Sequence, residues 1–427
     1  MIARAMEEKM TQEKMQEAFW AQANEQLENC REEGQHIPKV GLEVELFLTE
    51  NGSAVPNTVL PNLPFVDQEL GGFQIELLTD PVVMNSIEDL HIELSAKESL
   101  LKENSNGFDL IRIGAFPNMA LEDIFVTDKE KYQIVPKFHD NHRENSAATV
   151  IGGINFNKAN SVSLFSATQF NIQANSLDDA IEKMNYSLMI SPFIIAASGN
   201  AGVIDNKITG WNDIRMPAWE ASHDTRTAVE KKMNKETRLG LPNSYIKDIN
   251  DYLQRCAAHP FILDNPQAAL PIGIGLCWLD TRIKFIDDLP IVEYRAMSTQ
   301  PTAKEDIAFA MFYVGRLAYA QNTKEELMPI RQVEYNRLVA MRFGLNGNLL
   351  SEKGCLGLSD MDACSAVENE LYRAEKGLEM IGYQKNEVMQ YTNLIRKNLE
   401  KKQTPNDRFV TALDQMPMEQ ALALNKI

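Results

Sequence analysis

Val40-Gly41-Leu42-Glu43-Val44-Glu45-Leu46-Phe47-Leu48 is the stretch from which the rest of the chain can be read. In a strand, residues two apart share a face. Val40, Leu42, Val44, Leu46 and Leu48 therefore form one apolar face, and Glu43 and Glu45 project together from the other. Neighbouring carboxylates repel, so a chain that presents two side by side usually has a cation to hold.

Three further segments repeat the alternation. Between Gly72 and Thr79, Phe73, Ile75 and Leu77 oppose Gln74, Glu76 and Leu78, with Glu69 just upstream. In Thr168–Gln173, Gln169, Asn171 and Gln173 share one face and Phe170 and Ile172 the other. In Ile291–Ala296, Glu293 and Arg295 share a face. One wet face is ordinary for an antiparallel sheet, and for a single strand that explanation serves as well. Across four strands it weakens. A merely solvated face would mix Lys, Thr and Ser with Glu, yet the two best patterned strands place three Glu and no Lys there. Mg²⁺ or Mn²⁺ takes oxygen ligands in octahedral geometry and bridges substrate phosphates. Arg295 would then supply a fixed positive charge for a phosphoryl group in transfer.

The composition sets bounds on this reading. The chain has 427 residues, 44% hydrophobic and 24% charged, enough for one large domain or two to three average ones. The net charge of −18 argues against nucleic acid or an anionic membrane as the main partner, though not against ATP accompanied by divalent cations. Cys30, Cys256, Cys277, Cys355 and Cys364 are odd in number and widely spaced. Reduced thiols and a cytoplasmic location are the simple expectation. The first thirty-odd residues are charged rather than signal-like, and no apolar run is long enough to span a bilayer.

Along the chain, residues 1–37 suggest an amphipathic helix carrying Met6, Met10, Phe19, Trp20 and Leu27. Strands are expected around 39–48, 72–79, 111–116 and 161–175. Ser176 followed by Asp179 predicts a helix N-cap, with the helix running to about Ala197 and bending at Pro192. Residues 199–224, rich in Gly, Asn, Trp and Pro, predict a long functional loop. Residues 225–258 are expected to be helical, and 270–286 and 290–297 to be strands. Helices should follow over 302–343 and 359–402, parted by the glycine-rich Gly344–Gly357. The expected fold class is α+β, with helices weighted toward the C-terminus.

Competing catalytic motifs are missing. There is no G-x-x-x-x-G-K-[ST], H-E-x-x-H or G-x-S-x-G. Gly273 and Gly275 make half a dinucleotide fingerprint, with Trp278 where the third glycine belongs. Of the six histidines (His36, His91, His139, His142, His223 and His259), only His139 and His142 are closely spaced, and a surface loop is expected for that pair.

Five segments taken in order resemble the glutamate–cysteine ligases and related carboxylate–amine ligases, which share a glutamine synthetase-like active site. They are G-L-E-V-E-L at 41–46, Q-I-E-L-L-T-D-P at 74–81, T-Q-F-N-I at 168–172, P-F-I-I-A-A-S-G-N at 192–200 and V-E-Y-R at 292–295. The Thr-Gln-x-Asn form is most similar to the plant-type branch. The resemblance implies an antiparallel-sheet funnel backed by helices. It divides the chain into the N-terminal helix at 1–37, a glutamine synthetase-like catalytic domain at 38–300 and a helical region at 301–427 packed on it. It also implies divalent cations between ATP and an amino-acid substrate. Glu45, Glu69 and Glu76 would hold one cation, and Glu43, Gln169 and Glu293 another. Arg295 would stabilise the transferring phosphoryl group, and Arg215 would contact substrate or acyl phosphate. Arg226 would handle charge at the nucleotide unless it serves as a surface salt bridge. Residues 192–203 and Val135-Pro136-Lys137-Phe138-His139 depart from the family pattern where amino-acid substrates are selected.

The function so implied is ATP- and Mg²⁺- or Mn²⁺-dependent amide formation through an acyl phosphate. The γ-carboxylate of glutamate is the expected donor and cysteine the leading acceptor. Small-molecule amino acids are the expected partners. The rivals are a ligase of specialised metabolism using another amine or a peptide- or carrier-bound acceptor, a phosphotransferase on the same sheet, and a degenerate nucleotide-binding homologue. Retention of Glu43, Glu45, Glu76, Glu293 and Arg295 argues against the last.

Overall fold

A computed structural model describes residues 2–34, 38–144, 149–351 and 359–427, and the side chains among them apart from 2–9, 351 and 359. His36, Cys355, the Met6 side chain and part of the Gly344–Gly357 connector lie outside what it describes.

Six strands make the central path: β1 (Lys39–Glu50), β2 (Val66–Gln68), β3 (Gln74–Leu78), β4 (Thr168–Gln173), β5 (Thr281–Ile286) and β6 (Leu289–Tyr294). Their order is β5-β6-β4-β1-β3-β2, and every neighbouring pair is antiparallel. The sheet curls into a half-barrel. Three short strands, Ser53–Ala54, Val82–Val83 and Asp109–Ile111, also pair with β1. Local turn chemistry fixes the register. Asp287 and Asp288 both take positive φ, 49° and 64°, as a two-residue hairpin between β5 and β6 requires.

The period-2 pattern of β1 decides which side is core. Val40, Leu42, Val44, Leu46 and Leu48 are each at most 1% exposed. They pack with Ile75, Leu77, Phe170 and Ile172 against a helical layer. That layer comprises α2 (Ile87–Glu103), α4 (Leu177–Ser198), α7 (Ala303–Thr323), α8 (Ile330–Phe343), α9 (Ala363–Met380) and α10 (Lys385–Lys401). The other helices used below are α1 (Ile2–Asn29), α3 (Glu130–His142), α5 (Arg215–His223) and α6 (Ala269–Gly275). α4 starts where expected, with the Ser176 hydroxyl accepting from the Asp179 N–H at 3.1 Å, and it continues through Pro192. α1 buries Met15, Phe19 and Ala23 against α6 and its surroundings, while Met10 stays 68% exposed.

α7 and α9 meet at two glycines. A Cβ on Gly377 would collide with the Gly315 carbonyl oxygen, and one on Gly315 with the Ala374 carbonyl. Gly377→Ala is therefore expected to destabilise the protein by about 3 kcal/mol through overpacking, seen as a lower urea midpoint at constant slope.

Several sequence expectations change. Residues 270–286 do not form one strand, because Ala269–Gly275 is helical, so Gly273 and Gly275 lie on α6. Gly273 lets that helix approach the Phe19 ring. Of the expected 111–116 strand only Ile111 is strand, as the end of Asp109–Ile111, and the start of the expected 161–175 strand belongs to a 3₁₀ helix, Ala159–Leu164. The 199–224 segment is not an open loop. It contains a two-stranded hairpin, Val203–Ile204 with Lys207–Ile208, and then α5. Residues 225–258 are helical only at Ala228–Lys232 and Ile249–Ala257. A short strand, Ser359–Asp362, precedes α9. His139 and His142 sit on α3 rather than in a loop, and His139 is 0% exposed.

Candidate active site

The polar face of the sheet floors a cavity of about 490 Å³. Register explains why these side chains meet. Glu45 lies directly opposite Glu76, Glu43 opposite Gln169, and Glu293 opposite both Asn171 and Arg282. Opposed residues on neighbouring strands bring their Cβ atoms within about 5 Å.

Gln169 stands at the centre. Its amide nitrogen donates to Glu45 Oε1 at 3.2 Å and to Glu76 Oε1 at 3.1 Å, and its carbonyl accepts from Arg295 Nη1 at 2.7 Å. Glu45 Oε2 accepts from the Ala167 N–H at 2.8 Å and from Gln74 at 3.1 Å. Glu69 comes from the turn between β2 and β3, with the Tyr132 hydroxyl of α3 at 3.5 Å. Arg215 opens α5. Its Nη2 donates to the Arg295 carbonyl at 2.6 Å, and its buried Nε has no hydrogen-bond acceptor among the described residues.

Charge divides the floor into two halves. Burial pushes Glu45 up to about 8, reinforced by Glu69 and opposed by Arg215 and Arg295. Glu69 is also raised by burial, against Lys131 and Lys129. Glu76 is raised well above the carboxylate range, by burial and then by Glu43, Glu69, Glu45 and Glu293. Glu293 is the opposite case. Burial alone would raise it, but Arg282, Arg295 and Lys284 hold it well below the usual range. Arg295 Nη1 lies 2.6 Å and Lys284 Nζ 2.7 Å from its oxygens, and Arg282 pairs with it as well.

Glu45, Glu69 and Glu76 are oxygen donors of the kind a hard divalent cation takes, and among the described residues no Lys or Arg is ion-paired with any of them. Among the described residues, no three His, Cys, Asp or Glu side chains are placed so that they alone could hold a metal ion. Mg²⁺ commonly takes only one or two carboxylates and completes its shell with water and phosphate oxygens.

The rest of the cavity lining is mostly apolar. It includes Trp219, Trp278, Leu276, Ile272 and Pro271, with Val135 and Pro136 from α3. His223 lines the cavity too, with the His139 ring tilted against it at 4.5 Å between centroids and 48° between planes. Burial pushes His139 down to about 3, so it packs as a neutral aromatic ring.

Glu43, Glu45, Glu69, Glu76, Gln169, Arg215 and Arg295 all line this one cavity. Glu293 lies beneath it, fully buried. Arg226 does not line it, since its guanidinium forks onto Asp224 and donates to the Lys235 carbonyl. Sequence reasoning missed Arg282 and Lys284, although both occupy alternate positions of β5 and so follow the same period-2 signal.

Over most of its length the chain matches a family described as glutamate-cysteine ligase family 2, at residues 39–412. No curated protein matches it. The glutamate–cysteine ligase of Francisella tularensis, solved in complex with AMP, superposes with a TM-score of 0.63 at 12% identity, covering 93% of this chain and 88% of that one. The bifunctional glutathione synthetase of Pasteurella multocida gives 0.61 at 12% identity, covering 91% of this chain and 52% of that one, so the chain spans about half its length. At these identities the superpositions establish a shared fold, an antiparallel half-barrel sheet with many helices. The match across residues 39–412 establishes the relationship itself: the chain belongs to glutamate-cysteine ligase family 2.

Proposed function

We propose that this chain is an ATP- and Mg²⁺-dependent ligase that joins the γ-carboxylate of glutamate to the amine of cysteine through an acyl phosphate. Family membership supports the coarser reaction, ATP-dependent joining of a carboxylate to an amine. AMP in the Francisella enzyme supports an adenine nucleotide here. The observation that carries the proposal is the meeting of Glu45, Glu69 and Glu76 with Arg215 and Arg295 around one cavity. Thr168, Gln169 and Asn171 support the plant-type branch, and the division into 1–37, 38–300 and 301–427 remains part of the same proposal.

A free carboxylate is a poor electrophile, and phosphorylation gives it a leaving group. A bound divalent cation would neutralise phosphate charge and orient the transferred group. Glu45, Glu69 and Glu76 would hold it. Arg295, locked by Gln169 and Glu293, presents a fixed guanidinium for charge that grows on the phosphoryl oxygens. Arg215 is anchored by the Arg295 carbonyl and lines the cavity, where its guanidinium charge would serve the acyl phosphate. The amine then attacks the acyl carbon, the C–O bond breaks, and phosphate departs with a former carboxylate oxygen.

The apolar wall of Trp219, Trp278 and Leu276 favours a second reading, an acceptor amine bulkier than cysteine. A phosphate-release assay over pairs of amino acids and amines, with mass spectrometry of products, tests both. Release that requires both partners and yields an amide is expected. A phosphorylated product formed without amine would mark a phosphotransferase instead.

The raised carboxyls add a pH signature. Glu45 holds its proton more tightly when folded, about 8 against 4.5, so its contribution to stability is complete below 4.5 and is lost as pH rises toward 8. Without divalent cation, the melting temperature is expected to fall over that window. Mg²⁺ should flatten the fall and release protons on binding, readable by calorimetry in buffers of different ionisation enthalpy. A fall unaffected by Mg²⁺ would count against cation binding here.

A further inference from the structure

The Glu43–Glu293 half of the floor does not suit a divalent cation. Lys284 Nζ lies 2.7 Å from Glu43 Oε1 and 2.7 Å from Glu293 Oε1, bridging the two carboxylates. Asn171 donates to the same Glu43 oxygen at 3.1 Å. Arg282 and Arg295 take further contacts with Glu293, which is 0% exposed. Three cationic side chains thus face two carboxylates, and the third oxygen donor considered for this position, Gln169, already has its carbonyl on Arg295. A divalent ion would have to displace Lys284 and enter a region that already carries surplus positive charge. The Glu45–Glu69–Glu76 half differs, because an amide nitrogen bridges Glu45 and Glu76 and, among the described residues, no Lys or Arg ion-pairs with these carboxylates.

We propose that Lys284 occupies the second cation position, so that Glu43 and Glu293 bind an ammonium group rather than a metal and the enzyme works with a correspondingly smaller divalent-ion complement. Lys284 is then a positioning residue. It fixes Glu43 and Glu293, and through Glu293 it helps set the Arg295 guanidinium. The proposal rests on the cation-binding reading of Glu45, Glu69 and Glu76, and its test separates the two.

Mn²⁺ bound per chain would be counted by electron paramagnetic resonance, with a non-hydrolysable ATP analogue present, for the wild type and four variants. Glu43→Gln should leave the count unchanged, whereas Glu45→Gln should lower it. Lys284→Met should bind one more Mn²⁺ than the wild type, and Glu43→Gln in that background should remove the gain. Loss of an ion from Glu43→Gln alone would overturn the proposal, and this arm does not depend on Lys284→Met folding. Equal counts in wild type and a folded Lys284→Met would also overturn it. No Mn²⁺ in any form would overturn the cation reading of the whole floor and this proposal with it.

Discussion

Glu45→Gln is expected to lower Mg²⁺-dependent ATP turnover by about 10²–10³-fold, the scale of losing one preorganised electrostatic contact in a closed site. The substitution keeps the side chain's size and one carbonyl oxygen to accept from the Ala167 N–H. What it removes is a negative charge that burial and Glu69 already disfavour. Stability and activity should therefore move apart. In chelator at pH 8.5, the variant should melt no lower than the wild type, because the folded state no longer has to ionise Glu45. Thermal melts beside steady-state turnover check this. A variant that lost activity only by unfolding would show a lowered melting temperature.

Arg295→Ala should reduce kcat by about 10³-fold, the lower end of the range for guanidinium groups that stabilise phosphoryl transfer, with little change in KM for ATP. The charge matters most where negative charge develops, which is the transition state rather than the bound nucleotide. The fold should survive, because Glu293 keeps Arg282 and Lys284 as partners. The main-chain carbonyl that anchors Arg215 is also retained. Arg295→Lys should fall between, keeping charge but not the planar guanidinium whose Nη1 donates to both Gln169 and Glu293 while its other N–H groups stay available for phosphoryl oxygens. Equal rises in KM and falls in kcat/KM would instead assign Arg295 to ground-state binding.

The floor of the site was legible because its signal is local. The strand period of two assigns Glu43, Glu45, Glu76, Gln169 and Glu293 to one face before any pairing is known, and antiparallel pairing then sets Glu45 opposite Glu76. Arg282 and Lys284 obey the same period. They were obscured because Leu270–Ile286 looked like one apolar strand, although α6 takes its first part. Burial against α1 overrode local propensity there, with Gly273 packed under Phe19. The wall could not be read at all. Trp219, Trp278 and Pro136 come from three distant segments, and tertiary packing alone brings them together. His139 shows the same limit, since its charged neighbours suggested a surface and only the fold supplies His223 and Trp278 as partners.

The most direct test of the central claim follows oxygen. Glutamate labelled with ¹⁸O in its γ-carboxylate would be incubated with ATP, Mg²⁺ and cysteine, using wild-type protein and Glu45→Gln, and the phosphate analysed by mass spectrometry. Carboxylate activation on this sheet requires one ¹⁸O to appear in the phosphate, only when glutamate and cysteine are both present, and a loss of that transfer in the variant. Unlabelled phosphate formed at the same rate without cysteine, or transfer undiminished in Glu45→Gln, would contradict it.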